Sequence, residues 1–514
     1  MFEPPSSCRP DPEAPASLSE SGIAASMAPR SDKSPGQSVL AAIALLTLAG
    51  ALLRIAAARG DLWLDEIWSF RLIGQVQTAS DIVFALPYDN NHILNSLWLK
   101  LVGADAPALL ARLSAIVFGT LCIPAAARLG ARVGPRATLA FAAIFAFDFA
   151  FVEYGSEARG YSGLILAVLI AFNALENMLD GISPRWNQAV FALAIAFGTF
   201  SHLTMLEPTG VLCLTALVRL WRSGGWRLAT LDRALPILVA AAAGTAPALV
   251  SLAISLAPGV VHTGLATPFS ADVFLEGLGR MIGATIGLPD GPFDPKATAL
   301  MLLVAGIGAL ALLRLVPSRR RDFYVLAIFG LPVFHAALHL PNQQGARFHL
   351  TAAIALALLA AEGGARAWAY GRAARATVLA AGLGFVICQY ESLSAFLTLQ
   401  RGHFAEASAL MREHGAATFM VLPPVAFGET AAVIRWYVAK QDGGARLEPT
   451  TDAGACPASA DWLLSVHHPN EPVEASGGST TAGSGTCRAR FDHAKTFRAY
   501  GLSGFTWVLF RRVE

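Results

Sequence analysis

Two adjacent acidic residues, Asp65 and Glu66, stand just after the first long apolar segment of the chain. Trp63 and Trp68 flank them, and tryptophan is enriched where a membrane helix meets the lipid headgroups. A carboxylate at such a place can take a proton from a substrate or bind a cation, so the pair is a candidate for function. The alternative is an amphipathic juxtamembrane helix, because apolar residues recur there at helical spacing behind a candidate cap. These residues are Trp63, Ile67, Phe70 and Gly74, with Asp61 as the cap.

More ionisable side chains lie at the ends of later apolar segments, namely His92, Glu157, Arg159, His202 and Arg347. Arginine binds phosphate bidentately, and histidine can contact phosphate or transfer a proton near neutral pH. Each also has a structural interpretation. Arg159 could pair with Glu157 or Glu153, Arg347 could be an interfacial anchor, and a histidine at a helix end is often only hydrogen-bonded.

The composition defines the elements that must position these residues. Only 14% of the residues are charged, against about 25% in soluble domains, and the mean hydropathy is +0.52. The chain is therefore predicted to be an α-helical polytopic membrane protein. Segments of about 20 apolar residues indicate about 11 transmembrane helices, the first retained over about 39–58. The formal net charge of +2 argues against a nucleic-acid partner.

Arginine-rich connections alternate with connections poorer in basic residues, which places the amino terminus in the cytoplasm under the positive-inside rule. We predict a disordered cytoplasmic tail over 1–36, a transmembrane region over 37–400 with a first outer loop over 59–106, and an external domain over 401–514. The expected location is the plasma membrane, or the inner membrane of a bacterium. On this topology the candidate site residues all gather on the outer side.

The polar region after residue 400 reads as a small α/β domain. Helices are expected over 403–414 and 429–440, strands over 418–422, 462–466 and 505–510, and a mobile Gly, Ser and Thr-rich loop over 470–485. Cys456 and Cys487 are its only two cysteines. Outside the cytosol they can form a disulfide, and a reduced pair is the alternative.

Several short motifs, in this order and on this side, resemble the GT-C membrane glycosyltransferases, in particular the protein O-mannosyltransferase and lipid A aminoarabinose transferase group. The motifs are Leu62-Trp63-Leu64-Asp65-Glu66, the helix led by His92, Ala111-Arg112-Leu113-Ser114, Tyr154-Gly155-Ser156-Glu157-Ala158-Arg159-Gly160-Tyr161, Ser201-His202 and Arg347-Phe348. Two departures from the group are His92-Ile93-Leu94-Asn95, where His-Pro-Pro-Leu is common, and Phe348, where tyrosine is usual.

The resemblance implies transfer of a sugar from a polyprenyl-phosphate donor to a lipid, glycan or protein acceptor at the outer membrane face. Asp65 would be the base, Glu66 would orient it or share a divalent metal ion with it, and Glu157 would be a second acid. Arg159, Arg347, His92 and His202 would bind the substrate. Against a shared metal site, adjacent residues of a helix diverge by about 100°.

A polytopic transporter or flippase is the alternative function. Such proteins are often built from internal repeats, with substrate sites at broken helices near the bilayer midplane. This sequence has no visible repeat, and its ionisable residues are predicted at the outer helix ends. The pattern therefore favours a transferase.

Overall fold

A computed structural model of the protein describes residues 36–88, 91–225, 228–256, 267–288, 294–413, 417–423, 426–440, 447–449, 456–469, 471, 473, 478–483 and 487–513. The tail predicted over 1–36 lies outside these ranges except for its last residue. Residues 89 and 90 of the predicted first outer loop and much of the loop predicted over 470–485 also lie outside them.

The described chain is mostly helical. In the first half the helices are α1 Gln37–Ala57, α2 Leu64–Gly74, α3 Ala79–Phe84, α4 Ile93–Val102, α5 Ala108–Ala111, α6 Leu113–Ala131, α7 Pro135–Phe147, α8 Phe149–Tyr154, α9 Tyr161–Leu179 and α10 Pro184–Ser201. The second half contains α11 Leu206–Gly224, α12 Leu228–Leu256, α13 Ala271–Ile286, α14 Pro295–Leu313, α15 Ser318–Val325, α16 Leu331–Ala337, α17 Leu350–Ala367, α18 Arg372–Leu399, α19 Phe404–Arg412 and α20 Phe427–Ala439.

Eight helices in the described ranges are long and apolar enough to cross a membrane. This confirms the predicted α-helical polytopic membrane protein, but the count of eleven spans is not confirmed. The other predicted spans correspond to the shorter helix α7, to α10, whose first turns are polar, and to α15 and α16, which are joined by a π-helix over Leu326–Gly330. Helix α13 was missed because it lies within a stretch predicted as an outer loop.

The membrane core is centred on α9 and α17, which are hydrophobic on all sides. In each of them 78% of the apolar window is buried inside the protein, against 11% for α1 and α14. A helix that is apolar all round and buried by protein belongs to the centre of a bundle, whereas α1 and α14 present their side chains to lipid. The first turns of α9 and the residues before α17 are thereby held in place by the best-packed part of the molecule.

The two ends of the bundle carry different groups. At the end where α9 and α17 terminate, Arg320 at the start of α15 contacts Glu176 of α9 (3.1 Å) and Glu362 of α17 (3.0 Å), and all three side chains are buried. Arg219 joins the same network through Glu176 (2.9 Å). The candidate site residues lie at the opposite end, where α9 begins. Arg320, which belongs to one of the arginine-rich connections of the sequence, therefore lies at the end of the bundle away from the candidate site residues.

The domain that the sequence predicts to be external is built on a six-stranded mixed sheet in the order β2-β1-β3-β6-β5-β4. Its strands are β1 Ala417–Leu422, β2 Leu447–Pro449, β3 Trp462–His467, β4 Ser479–Ala482, β5 Ala489–Phe497 and β6 Thr506–Arg512. Strands β2 and β3 run parallel to β1, and the other pairs are antiparallel. The predicted small α/β domain is confirmed, and a disulfide joins Cys456 to Cys487.

Part of the loop predicted over 470–485 forms strand β4. The stretch Ser479–Ala482 pairs with β5, Thr480 opposite Phe491 and Ala482 opposite Ala489. Its Ser and Thr residues suggested a loop, but threonine also suits an edge strand, where pairing with a neighbour decides the conformation. The loop prediction was wrong for these four residues.

Candidate active site

Asp65 lies at the centre of a polar cluster formed by three separate parts of the chain. It is in the first turn of α2, and its side chain is 14% exposed. Its Oδ2 atom is 3.4 Å from Nη2 of Arg159, in the turn before α9, and 3.6 Å from Nη1 of Arg347. Arg347 belongs to the short 3₁₀ helix Ala346–His349 that leads into α17. The structure thus brings together three residues that are 282 positions apart at the extremes of the sequence.

Glu66 is directed to a different arginine. Arg112 donates from Nε to Oε1 (2.7 Å) and from Nη2 to Oε2 (2.6 Å), and both side chains are fully buried. The same carboxylate accepts the backbone N–H groups of Ala158 (2.7 Å) and Trp63 (3.1 Å). Burial raises the pKa of Glu66, but its pairing with Arg112 and these hydrogen bonds outweigh burial and lower it. The ionised carboxylate of Glu66 therefore links α2 to the start of α6 and to the turn before α9.

This arrangement does not fit a divalent metal ion shared by Asp65 and Glu66. Four donors already occupy the oxygens of Glu66, and two guanidinium groups face Asp65. Both features disfavour a second cation, which would need those carboxylate oxygens as ligands. Among the described residues no group of three or more His, Cys, Asp or Glu side chains is placed to hold a metal ion.

Asp61 is not the cap of α2. The N-cap residue is Trp63, whose N–H is bound by Glu66. Asp61 instead accepts the backbone N–H of Ala405 (2.7 Å) through Oδ2. It connects the first outer loop to α19 of the external domain, a partner 344 residues away that local sequence patterns do not reveal.

Glu157 is completely buried beside this cluster. The indole Nε1–H of Trp63 donates to its Oε1 (2.8 Å), and the hydroxyl of Ser503 in the external domain donates to its Oε2 (3.2 Å). Burial raises the pKa of Glu157, the charges of Glu66 and Asp65 raise it further, and Arg401 and Arg159 oppose them. The group is thus biased toward its protonated form and is held by a tryptophan that also belongs to the start of α2.

The two predicted histidines lie close together and are uncharged. The rings of His92 and His202 are 4.4 Å apart in an edge arrangement. Burial and the nearby arginines lower the pKa of His92 well below its ordinary value and that of His202 to about 3. Nδ1 of His92 accepts the N–H of Gly160 (2.9 Å), and Nδ1 of His202 accepts the backbone N–H of Thr204 (3.2 Å) and lies 2.8 Å from the hydroxyl oxygen of Thr204. As neutral rings they do not supply positive charge for a phosphate.

Tyr161 lies between the arginine and histidine groups. Its hydroxyl is 3.3 Å from Nη2 of Arg159, and its ring is 4.9 Å from that of His202. The preceding Gly160 is required by a close approach, because a Cβ atom there would lie 1.7 Å from the carbonyl oxygen of Ser201. The Arg159-Gly160-Tyr161 sequence therefore docks the start of α9 against the end of α10.

Sequence reasoning missed the residues that join the cluster to the external domain. Arg401, fully buried after α18, donates through Nη2 to the carbonyl oxygen of Glu153 (2.8 Å) and to the hydroxyl of Ser156 (3.1 Å). The Glu153 carboxylate accepts the N–H groups of Leu502 (2.9 Å) and Ser503 (3.0 Å). Glu153, an acidic residue at the end of an apolar segment and four positions before Glu157, was the sequence feature that could have indicated this connection.

Glu429 of α20 approaches the cluster from the external domain. Helix α20 packs on α2, where Trp436 stacks on Phe70 with ring centroids 5.3 Å apart. Glu429 is two helical turns before Trp436 and so on the same face of α20. Burial and the charge of Asp65 raise the pKa of Glu429, and Arg347 opposes this shift. A carboxylate of this domain is thus close enough to Asp65 and Arg347 to interact with their charges.

Taken together, the site has a partly buried carboxylate flanked by two guanidinium groups at one end of the helix bundle. Arg347 is the more open of the two, with 36% of its side chain exposed, against 3% for Arg159. A carboxylate can accept a proton, and the planar guanidinium groups can bind a phosphate. The geometry suits a reaction in which a phosphate leaves while a nearby group loses a proton.

Comparison with solved structures identifies proteins of similar fold. The chain is similar to the oligosaccharyltransferase of Archaeoglobus fulgidus tethered to an acceptor peptide containing the NVT sequon, with a TM-score of 0.46, 12% identity and coverage of 83% of this chain and 65% of that one. A second structure of that enzyme, AglB, with an inhibitory peptide and a dolichol-phosphate, gives a TM-score of 0.47 at 12% identity and covers 84% of this chain and 69% of that one.

ArnT from Cupriavidus metallidurans in the apo state gives a TM-score of 0.39 at 12% identity and covers 92% of this chain and 98% of that one. No family model matches the chain, and no curated protein matches its sequence.

Proposed function

We propose that the protein is a membrane glycosyltransferase that takes a sugar from a polyprenyl-phosphate donor. The observation that carries this proposal is the placement of Asp65 between Arg159 and Arg347 at one end of an apolar helix bundle. Two guanidinium groups can bind the phosphate of a donor, and the carboxylate between them stays close to the sugar carbon that the phosphate leaves.

An apolar groove in the helix bundle is suited to the prenyl chain of a lipid-linked donor. It has a volume of about 530 Å³ and is lined by apolar side chains and glycine, mainly from α14 and α17, including Met301, Val304 and Leu356. Its two residues on α17, Leu356 and Ala360, lie about 14–20 Å along the helix from Arg347, and none of the described residues that line it belongs to the polar cluster. A prenyl chain in this groove would lie within the membrane region.

In the proposed reaction, a nucleophilic oxygen or nitrogen of the acceptor forms a bond to the anomeric carbon of the donor sugar. The bond from that carbon to the phosphate oxygen breaks, and its electron pair leaves with the polyprenyl phosphate. Asp65 takes the proton lost by the acceptor, while Arg159 and Arg347 stabilise the charge on the leaving phosphate. When the incoming phosphate binds Arg159 and Arg347, it would weaken their ion pairs with Asp65, and the Asp65 carboxylate would then be available as a base.

The other acids have different proposed roles. Glu66 positions Asp65 by tying the start of α2 to Arg112, and Glu157 holds Trp63 against the same turn. Glu429 is assigned to binding of the acceptor, because it belongs to the external domain, from whose side the acceptor would arrive. The acceptor remains a lipid, a glycan or a protein, each of which could reach the mouth from outside.

The transporter alternative has less support. The charged candidate residues lie at one end of the bundle, and the buried charges at the other end pair with one another rather than line a path between the ends. An alternating-access site would instead be expected near the middle of the membrane.

Purified protein incubated with a panel of polyprenyl-phosphate sugars and candidate acceptors tests the proposal, with release of bare polyprenyl phosphate as the readout. We expect Asp65→Asn to lower the rate by about 10²–10⁴, the usual contribution of a general base. Asp492→Asn, whose side chain is 51% exposed on the external sheet, is the matched control and should retain the wild-type rate. A folded Asp65→Asn protein with normal turnover would exclude Asp65 as the base.

A further inference from the structure

A second groove lies at the end of the bundle away from Asp65. It has a volume of about 400 Å³ and is formed by the last turns of α6 and α9 and the first turns of α10. One side is apolar and includes Pro124, Ile170 and Val190. The other side is polar and carries Arg128, Asn173 and Asn177. The groove is therefore amphipathic, in contrast to the apolar groove formed mainly by α14.

The charge of Arg128 is not neutralised by the neighbouring network. Arg132, Arg219 and Arg320 contact Asp180 and Glu176 around it. Arg128 makes no ion pair with any residue in the described ranges, and its side chain is exposed. The site thus presents one available positive charge where the surrounding acids are already paired.

The rim of the groove has the features of a membrane interface. Ile182, in the connection between α9 and α10, is 52% exposed, and Trp186, in the first turn of α10, is 70% exposed. Tryptophan favours the level of the lipid headgroups. The connection itself is well held, because Asn187 donates to the carbonyl oxygens of Ile182 (2.8 Å) and Ser183 (3.1 Å) and accepts from Asn177 (2.8 Å). The groove is therefore a fixed feature of the surface.

We propose that this groove binds an anionic phospholipid of the leaflet opposite the active site. The phosphate would contact Arg128, the headgroup would lie beside Asn173 and the indole of Trp186, and an acyl chain would follow the apolar side between α6 and α10. Its volume lies within the range of about 300–1,000 Å³ typical of ligand sites. Basic pockets between membrane helices are suited to anionic headgroups, and a zwitterionic lipid gains less from an unpaired arginine. The inference does not depend on the proposed sugar transfer.

The test uses the full-length protein purified in detergent and titrated with phosphatidylglycerol or phosphatidylcholine of identical acyl chains, with bound lipid counted by native mass spectrometry. Wild-type protein should bind phosphatidylglycerol more tightly than phosphatidylcholine. Arg128→Ala should weaken phosphatidylglycerol binding about fivefold, the effect of one arginine near a lipid surface, and leave phosphatidylcholine binding unchanged. Trp186→Ala should weaken the binding of both lipids.

Arg185→Ala is the matched control, because Arg185 is exposed at the same end of the bundle but does not line the groove. It should bind both lipids as wild type does. Equal affinity of wild-type protein for the two lipids would overturn the proposal, as would an equal effect of Arg128→Ala and Arg185→Ala. Thermal unfolding of each variant verifies that the comparison is made between folded proteins.

Discussion

The pairing of Glu66 with Arg112 gives a sharp prediction about stability. The two side chains are fully buried and joined by two short hydrogen bonds, and Glu66 also binds two backbone N–H groups. Arg112 further donates to the carbonyl oxygens of Ala58, Gly60 and Asp61. Removing one partner leaves the other charge buried without compensation. For Arg112→Ala we therefore expect a loss of about 3–5 kcal/mol, the cost typical of breaking a buried ion pair.

The assay is thermal unfolding of purified protein in detergent, followed for wild type, Arg112→Ala and Glu66→Gln under one set of conditions. The exposed pair Arg490 and Asp492, 3.6 Å apart with both side chains more than half exposed, supplies the control. Arg490→Ala should cost about 0–1 kcal/mol because solvent screens such a pair. A Glu66→Met, Arg112→Met double variant should lose less than the sum of the single changes, since neither leaves a buried charge behind.

The result that refutes this reasoning is a Glu66→Gln protein that unfolds at the wild-type temperature yet has lost sugar transfer. Glu66 would then act on the substrate, and its four contacts would not explain its role. If instead both Glu66→Gln and Arg112→Ala are destabilised while Asp65→Asn unfolds like wild type, the two adjacent acids have separate functions. That outcome would assign structure to one and chemistry to the other.

Three further predictions follow from named contacts. Arg347→Ala should weaken binding of a polyprenyl-phosphate sugar, measured by titration, and Arg347→Lys should recover only part because an ammonium group cannot reproduce the planar fork. Burial raises the pKa of Glu153 from its ordinary 4.5 to about 8, so the contribution of Glu153 to stability should be fully present below pH 4.5 and be lost as pH rises through 8; Glu153→Gln should remove this pH-dependent contribution in unfolding experiments. Cys456→Ser, which opens a link across 31 residues to Cys487, should cost the external domain about 3–4 kcal/mol, whereas unchanged stability would show that the bond is dispensable.

The sequence determined the class of the fold and the side of the bundle on which the site lies. Hydropathy acts locally, so long apolar segments such as Leu113–Ala131 are recognisable without knowledge of their neighbours. Likewise, the number of arginines in a short connection predicts the side of the membrane on which that connection lies, without reference to the rest of the chain. The short motifs around Asp65, Glu157 and Arg347 could be found for the same reason, as could the two cysteines of the external domain.

The tertiary structure alone decided which of these residues meet. Asp65 and Glu66 are neighbours in sequence and were treated as a pair, but adjacent residues of a helix point in directions about 100° apart. Asp65 therefore meets Arg159 and Arg347, whereas Glu66 meets Arg112. Arg401, Glu153 and Glu429 enter only through contacts across domains, and β4 exists only because β5 lies beside it. Local patterns do not encode such partners, because a side chain's charge and hydrogen bonds depend on groups that folding brings from hundreds of residues away.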